Sequence, residues 1–106
     1  MNLGLDYNGV ISERRKQYKK LAEFFLKSGG NVYVVSYWNP PKDKKEFDEM
    51  LGDFPYTDAF INVEEENKAK WKADICEYLK IDLFIDDKII ILNEINKKGI
   101  LGLVAT

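Results

Sequence analysis

The chain is poor in cysteine and in long apolar runs, and each scarcity excludes a class of protein. Cys76 is the only cysteine, so no internal disulfide can form, and a reducing compartment is the expected setting. No apolar run approaches the roughly 20 residues that a membrane-spanning helix needs. Asp6 interrupts the N-terminal apolar stretch, which argues against a signal peptide. We therefore predict a cytoplasmic protein with no membrane partner.

The chain also lacks a surplus of charge, linkers and repeats. Its 16 basic and 18 acidic residues give a formal charge of −2. This balance argues against general attraction to nucleic acid or membranes, so any phosphate-binding site must be local. A length of 106 residues leaves room for one hydrophobic core. We predict a single domain over residues 1–106.

Apolar runs alternate with helical periodicity in the order βαβαβαβαβ. Strands are predicted over residues 3–6, 32–35, 59–63, 82–85 and 100–104. Helices are predicted between the strands, the first capped by Ser12 and the second beginning near Lys42. The third helix begins near Asn67 and is expected to bury one apolar face, made of Trp71, Ile75, Tyr78 and Leu79.

Acidic residues follow two of these strands. Asp6 ends the first strand, and Asp86-Asp87 follow the fourth. Parallel crossovers are right-handed, and an open α/β sheet keeps its chemistry at the carboxyl ends of its strands. The strand order 3-2-1-4-5 places the two acidic ends side by side. We therefore predict a doubly wound, three-layer Rossmann-like α/β fold with three carboxylates at one spot, where they need a cation or a proton.

These residues carry a resemblance to the haloacid dehalogenase-like (HAD-like) superfamily. The segment Asp6-Tyr7-Asn8-Gly9-Val10 resembles its first motif, usually Asp-x-Asp-Gly-[Thr/Val] after an apolar strand. Ser36 at the end of the second strand resembles the second motif, and Asp86-Asp87 resemble the fourth. The third motif is a lysine at the start of the helix before strand four, where three lysines compete: Lys68, Lys70 and Lys72. The motifs stand in the family's order and span almost the whole chain.

The resemblance implies a magnesium-dependent phosphohydrolase that forms an aspartyl-phosphate on Asp6. In the family, magnesium is held by this carboxylate, by the backbone carbonyl two residues on and by an acid of the fourth motif. Those ligands correspond here to Asp6, Asn8 and either Asp86 or Asp87. Hard oxygen ligands suit Mg²⁺, and a carboxylate can act as the nucleophile. Ser36 and a lysine would then bind the phosphate.

Geometry narrows the choice of lysine. A strand climbs about 3.3 Å per residue and a helix about 1.5 Å, so the level of Asp86 falls near residue 71 of the preceding helix. Lys68 and Lys72 flank that level at the edge of the apolar face, whereas Lys70 points away. The segment Lys72-Ala73-Asp74-Ile75-Cys76 also resembles small phosphatase-type members of the family. On that resemblance we favour Lys72 for the third motif and keep Lys68 as the alternative.

Asn8 departs from the family pattern. Phosphatase members carry an aspartate there, which protonates the leaving oxygen and then deprotonates the attacking water. An amide can do neither, and loss of a general acid/base typically costs about 10²–10⁴-fold in rate. Three explanations are open: slow hydrolysis, a module that binds magnesium and phosphate without turnover, or a substitution made to trap a substrate complex.

The segments 7–12 and 62–67 are too short to hold the cap domain that many family members insert. A capless, open site is suited to a large substrate, or to closure by a second subunit. We favour a nucleotide or the end of a nucleic acid as the phosphorylated substrate. A receiver domain of response-regulator type is the rival at the level of fold, but Asn62 stands where its phosphoacceptor would follow strand three.

Overall fold

The computed structural model describes residues 1–37, 43–62 and 67–106, and within these ranges five strands alternate with four helices. The predicted βα alternation is therefore confirmed, with boundaries shifted by one to three residues. The elements are β1 (Asn2–Leu5), α1 (Arg15–Lys27), β2 (Asn31–Tyr37), α2 (Lys44–Leu51), β3 (Asp58–Asn62), α3 (Lys68–Tyr78), β4 (Leu83–Asp86), α4 (Ile89–Lys97) and β5 (Leu101–Val104).

The strands form one parallel sheet in the predicted order, β3-β2-β1-β4-β5. Leu5 at the end of β1 is paired with Val34 of β2 and with Ile85 of β4. The residue after Leu5 therefore emerges between two neighbouring strands at the carboxyl edge of the sheet. Because CheY-like receiver domains have the order 2-1-3-4-5, the observed order excludes the receiver alternative.

Helices cover both faces of the sheet, which gives the predicted three layers. Successive strand residues point to opposite faces, and Val34 and Val35 of β2 accordingly belong to two different hydrophobic clusters. The first cluster includes Leu3 and residues of α1 and α2, and the second includes Phe84 and residues of α3 and α4. The sheet is thus rigidly supported beneath its carboxyl edge.

The predicted cap of α1 is wrong. Helix α1 begins at Arg15, and its N-cap residue, Arg14, makes no side-chain capping bond. The Ser12 hydroxyl instead accepts a hydrogen bond from the Gly9 amide at 3.0 Å. Ser12 therefore closes the preceding turn, Tyr7–Ile11, rather than starting the helix.

Three further predictions need correction or lie outside the described residues. Tyr78 was predicted on the buried face of α3 but is 81% exposed, because it is the last residue of the helix and points past the core. Helix α2 begins at Lys44, where Asp43 caps it by accepting a bond from the Glu46 amide. The predicted start near Lys42 and the predicted strand residue 63 both fall outside the described ranges.

Short connections link the strands and helices. Over residues 1–37, 43–62 and 67–106 there is no cap domain. In the same part of the chain, no helix has the length and apolar character needed to cross a bilayer.

Candidate active site

Three carboxylates meet where β1 and β4 end. The Asp6 amide donates to the Ile85 carbonyl at 3.1 Å, which fixes Asp6 beside the end of β4. One carboxylate oxygen from each of Asp6, Asp86 and Asp87 lies within 4.8 Å of the other two. Asp6 and Asp86 are buried, whereas Asp87 is exposed. The two acidic strand ends singled out in the sequence therefore converge.

A buried lysine lies between two of these acids. Lys72 is only 1% exposed, and its Nζ donates to Asp6 Oδ1 at 2.9 Å and to Asp86 Oδ2 at 2.8 Å. It lies in the second turn of α3, at the level of the carboxyl edge that strand and helix rise predict. Its position on the buried face gives the site one fixed positive charge.

The other two candidate lysines, Lys68 and Lys70, form no ion pair with the acids of the site. Lys70 is exposed and pairs with Asp74 at 2.7 Å. The Lys68 Nζ lies 4.3 Å from the centre of the Tyr37 ring, at the mouth of the site. The geometry thus favours Lys72 as the lysine that contacts the predicted nucleophile.

Burial and charge act in opposite directions on the ionisable groups. Burial raises the pKa of Asp6 to about 6, although Lys72 works against the rise. Burial likewise raises the pKa of Asp86, again opposed by Lys72. Burial alone would lower the pKa of Lys72, but the charges of Asp6 and Asp86 raise it above its usual value. Lys72 therefore stays charged, while Asp6 titrates in the weakly acidic range.

Ser36 lies against the same carboxylate. It is 1% exposed, and its Oγ is 3.4 Å from Asp6 Oδ1 and 3.3 Å from the Tyr37 carbonyl. Strand β2 continues to Tyr37, two residues past the predicted end at Val35. Both contacts are long for a hydroxyl donor, so its proton can turn towards a phosphate oxygen at little cost.

The turn after Asp6 requires glycine at position 9. Gly9 has φ = +81°, and a Cβ there would lie 2.2 Å from Asp87 Oδ2. The turn therefore passes directly against the acid pair. Asn8, the residue before it, has extended backbone (φ −70°, ψ 128°) and an exposed side chain.

A cavity of about 420 Å³ lies at this edge of the sheet. Most of the predicted site residues line it, but Ser36 and Asp86 do not. The lining is Asp6, Asn8, Gly9, Tyr37, Lys68, Lys72, Asp87, Lys88 and Ile91. The sequence does not predict that Lys88 and Ile91 belong to the site, because the only signal for them is that they follow Asp87 closely in the chain.

The donor set fits a magnesium ion. Three carboxylates and one ammonium leave the ionised cluster two charges negative, which a divalent cation offsets. Carboxylate oxygens are hard ligands of the kind Mg²⁺ prefers. Asp86 already accepts from Lys72 and from the Lys88 amide, so exposed Asp87 has more freedom to turn towards an ion.

Comparison with known proteins supports the fold. No protein-family model matches the chain, and neither does any curated protein. An uncharacterized protein from Corynebacterium glutamicum ATCC 13032 Kitasato is similar in structure, with a TM-score of 0.76 and 15% identity over 99% of this chain and 84% of its own. A HAD family enzyme from Bacteroides thetaiotaomicron, solved as a magnesium complex, has a TM-score of 0.54 and 17% identity over 94% of this chain.

The chain spans 53% of the length of that HAD family enzyme. At these identities the two likenesses establish a shared fold. The chain therefore has the α/β fold found in a HAD family enzyme, with an acidic cluster at the sheet edge that could hold a metal ion.

Proposed function

We propose that this protein is a capless, magnesium-dependent phosphohydrolase of HAD-like type that acts on phosphate monoesters. The observation that carries the proposal is the buried Lys72, held between Asp6 and Asp86 with Asp87 alongside. Phosphoryl transfer needs a positioned nucleophile and positive charge around the phosphate, with little other chemistry from the protein. The cluster offers a carboxylate, a fixed ammonium and ligands for a cation in one cavity.

In the proposed mechanism Asp6 is the nucleophile. A carboxylate oxygen of Asp6 forms a bond to phosphorus as the bond to the leaving oxygen breaks, and that oxygen departs with its electron pair. The departed oxygen takes a proton from solvent. Water then attacks the phosphorus and gives up a proton to solvent while the bond between phosphorus and Asp6 breaks, which releases inorganic phosphate and restores the carboxylate. Asp6, Asp86 or Asp87, and the Asn8 carbonyl would hold magnesium, which when bound supplies positive charge to the phosphate oxygens.

Lys72 and Ser36 have orienting roles in this proposal. Both contact Oδ1 of Asp6, so they hold the carboxylate by one oxygen. Each can also donate to a phosphate oxygen placed over Asp6. Lys68 and Lys88 also line the cavity and are two further cations within reach of the substrate.

Asn8 supports an alternative function. It lies on the cavity wall, where it can neither protonate a leaving oxygen nor take a proton from water. A protein that binds magnesium and a phosphorylated ligand without turnover would carry the same cluster. The substrate we favour for either function is a nucleotide or a nucleic-acid end, because no cap domain lies over the cavity among the residues that the structure describes. A second copy of the chain could close the cavity.

Replacing Asn8 with aspartate tests the proposal against this alternative. We expect Asn8→Asp to raise turnover by at least about 10²-fold, the low end for a general acid/base. The gain should be larger for an alkyl phosphate than for an aryl phosphate, because an aryl leaving group needs little protonation. Steady-state release of phosphate in the presence of magnesium measures the effect.

The control is the double variant that carries Asn8→Asp together with Asp6→Asn, which should be inactive. If Asn8→Asp is as inert as the parent chain on every ester while magnesium binds, the hydrolase proposal is wrong. The binding module then takes its place.

A further inference from the structure

A second groove opens from the proposed active site and runs between α3 and α4. Its volume is about 780 Å³, larger than the site cavity. Lys68, Lys88 and Ile91 line both spaces, so the two are adjacent. A substrate whose phosphate lies over Asp6 would therefore reach directly into the groove with its remaining part.

The groove is locally basic on an acidic protein. Its walls carry four lysines, whereas its acids are Asp74 and Glu94. The lysines are Lys68, Lys70, Lys88 and Lys98. Lys70 and Lys98 share Asp74, at 2.7 and 3.1 Å. Lys98 also pairs with Glu77 at 3.5 Å, and Glu94 pairs with Lys97 outside the groove. Neither Lys68 nor Lys88 has an ion-pair partner among the residues that the structure describes.

The positive charges are spread along the groove. Lys88 immediately precedes α4 and Lys98 immediately follows it. Ten residues of helical rise separate their Cα atoms by about 15 Å. One phosphate occupies only part of that length, whereas a chain of phosphates can follow it.

The floor of the groove is apolar. It is formed by Ala69, Ala73, Ile90 and Ile91, and Ile90 is 71% exposed. A cationic track beside an apolar surface is the combination that binds single-stranded nucleic acid, with phosphates on the lysines and sugars and bases on the floor. An acidic peptide in extended conformation fits less well, because a groove between two helices offers no strand edge with which its backbone can pair.

We propose that this groove binds the phosphodiester chain of a single-stranded oligonucleotide whose terminal phosphate occupies the acidic site. The proposal rests on the proposed function, because it assumes that the acidic site takes a phosphate monoester. It names the substrate class as an oligonucleotide end rather than a mononucleotide.

The test compares binding of three probes in magnesium by calorimetry: a terminally phosphorylated thymidine pentanucleotide, the same pentanucleotide without the phosphate, and thymidine monophosphate. The phosphorylated pentanucleotide should bind tightest. Its affinity should fall with salt, with a slope of about −0.7 per phosphate neutralised. The double variant Lys70→Gln/Lys98→Gln should reduce that slope by about 1.4 and leave thymidine monophosphate binding unchanged.

The control double variant is Lys27→Gln/Lys80→Gln, which removes the same charge from exposed positions at the opposite edge of the sheet. It should leave the slope unchanged. Equal binding of pentanucleotide and mononucleotide, or an equal slope in the groove variant, would overturn the proposal. Tighter binding of an acidic phosphopeptide would overturn it too.

Beryllium fluoride, a phosphate mimic, separates this proposal from the proposed function. If it binds with magnesium while the groove variant has no effect, the oligonucleotide proposal fails and the phosphohydrolase proposal stands. If it does not bind, and the pentanucleotide binds equally with and without its phosphate, the groove is a nucleic-acid site unrelated to the acidic cluster. Both proposals are then wrong.

Discussion

Lys72 is the residue on which the site depends most. A buried ion pair adds little net stability, but removing one partner leaves a buried charge unpaired and costs about 3–5 kcal/mol. Here a single ammonium faces two buried carboxylates, Asp6 and Asp86. Its loss should therefore weaken both the fold and the binding of a phosphate.

We predict that Lys72→Ala weakens beryllium fluoride binding more than Lys68→Ala does. Lys72 supplies the fixed charge beside Asp6, whereas exposed Lys68 lies on the Tyr37 ring. Lys72→Ala should also lower the free energy of unfolding by roughly 3–5 kcal/mol. Calorimetric titration and chemical denaturation measure the two effects, and Lys72→Gln is the variant to use if Lys72→Ala does not fold. A reversed order of binding would assign the third motif to Lys68.

Among the individual site residues, those at strand ends can be predicted from the sequence. Those that only tertiary packing brings to the cavity wall cannot. Strand and helix rises narrow the third-motif lysine to Lys68 and Lys72, and the resemblance of the segment that begins at Lys72 then favours Lys72. Lys88 could not be distinguished from any exposed lysine, since its place on the cavity wall depends on where α4 begins.

The element that shapes the site is the turn Tyr7–Ile11 between β1 and α1. The tight turn places Gly9 against Asp87, and the Ser12 hydroxyl accepts a hydrogen bond from the Gly9 amide. The turn therefore contacts Asp87 on one side of the cluster, while Lys72 contacts Asp86 on the other.

We predict that Gly9→Ala and Gly29→Ala both destabilise the fold but that only Gly9→Ala weakens magnesium binding. Both glycines have a positive φ, +81° and +85°, so each alanine adds about 1–2 kcal/mol of backbone strain. At Gly9 the new Cβ would also displace Asp87, whereas at Gly29 nothing lies within 4 Å. Magnesium titration of the two folded variants compares them. Equal magnesium affinities would show that Asp87 takes no part in the metal site.

Strands could be predicted from the sequence more readily than helix ends. The run Val32–Val35 is apolar on both faces, as a central parallel strand must be, and right-handed crossovers then fix the strand order. Helix α3 is harder to interpret because Lys72, Ala73 and Cys76 form its buried face, so a lysine stands where the periodicity requires an apolar residue. Ser12 bonds to the turn before it and not to the helix after it. A rule that assigns serine as the N-cap of the next helix does not consider that turn.

For the molecule as a whole, charge is separated into two neighbouring regions. The acidic cluster carries a surplus of two negative charges when ionised, while the α3–α4 groove beside it is basic. A magnesium ion would therefore add stability to the whole fold by mass action and by relieving carboxylate repulsion.

We predict that this stabilisation by magnesium depends on pH. The pKa of Asp6 is raised to about 6 from 3.8, so between these values the folded state holds a proton that the unfolded state has lost. Without metal, stability should fall as pH rises from about 4 to 6 and then level off. Magnesium needs the ionised carboxylate, so its effect on Tm should be small at pH 5 and large at pH 7.

Melting curves with magnesium and with chelator at both pH values measure this effect. In Asp6→Asn, the part of the change in Tm between pH 5 and pH 7 that comes from ionisation of Asp6 should disappear. Identical curves with and without millimolar magnesium at pH 7 would count against a metal site.

The most direct test of the central claim is the detection of a phosphoryl group on Asp6. With Asp6 and its cation in place but no base at position 8, an aryl phosphate should form the aspartyl-phosphate faster than water removes it. Mass spectrometry after an acid quench should then find one phosphoryl adduct, located on Asp6. Its level should fall in Asn8→Asp, and it should be absent from Asp6→Asn. If magnesium is bound and no adduct forms on Asp6 in either the parent chain or Asn8→Asp, phosphoryl transfer through Asp6 is contradicted.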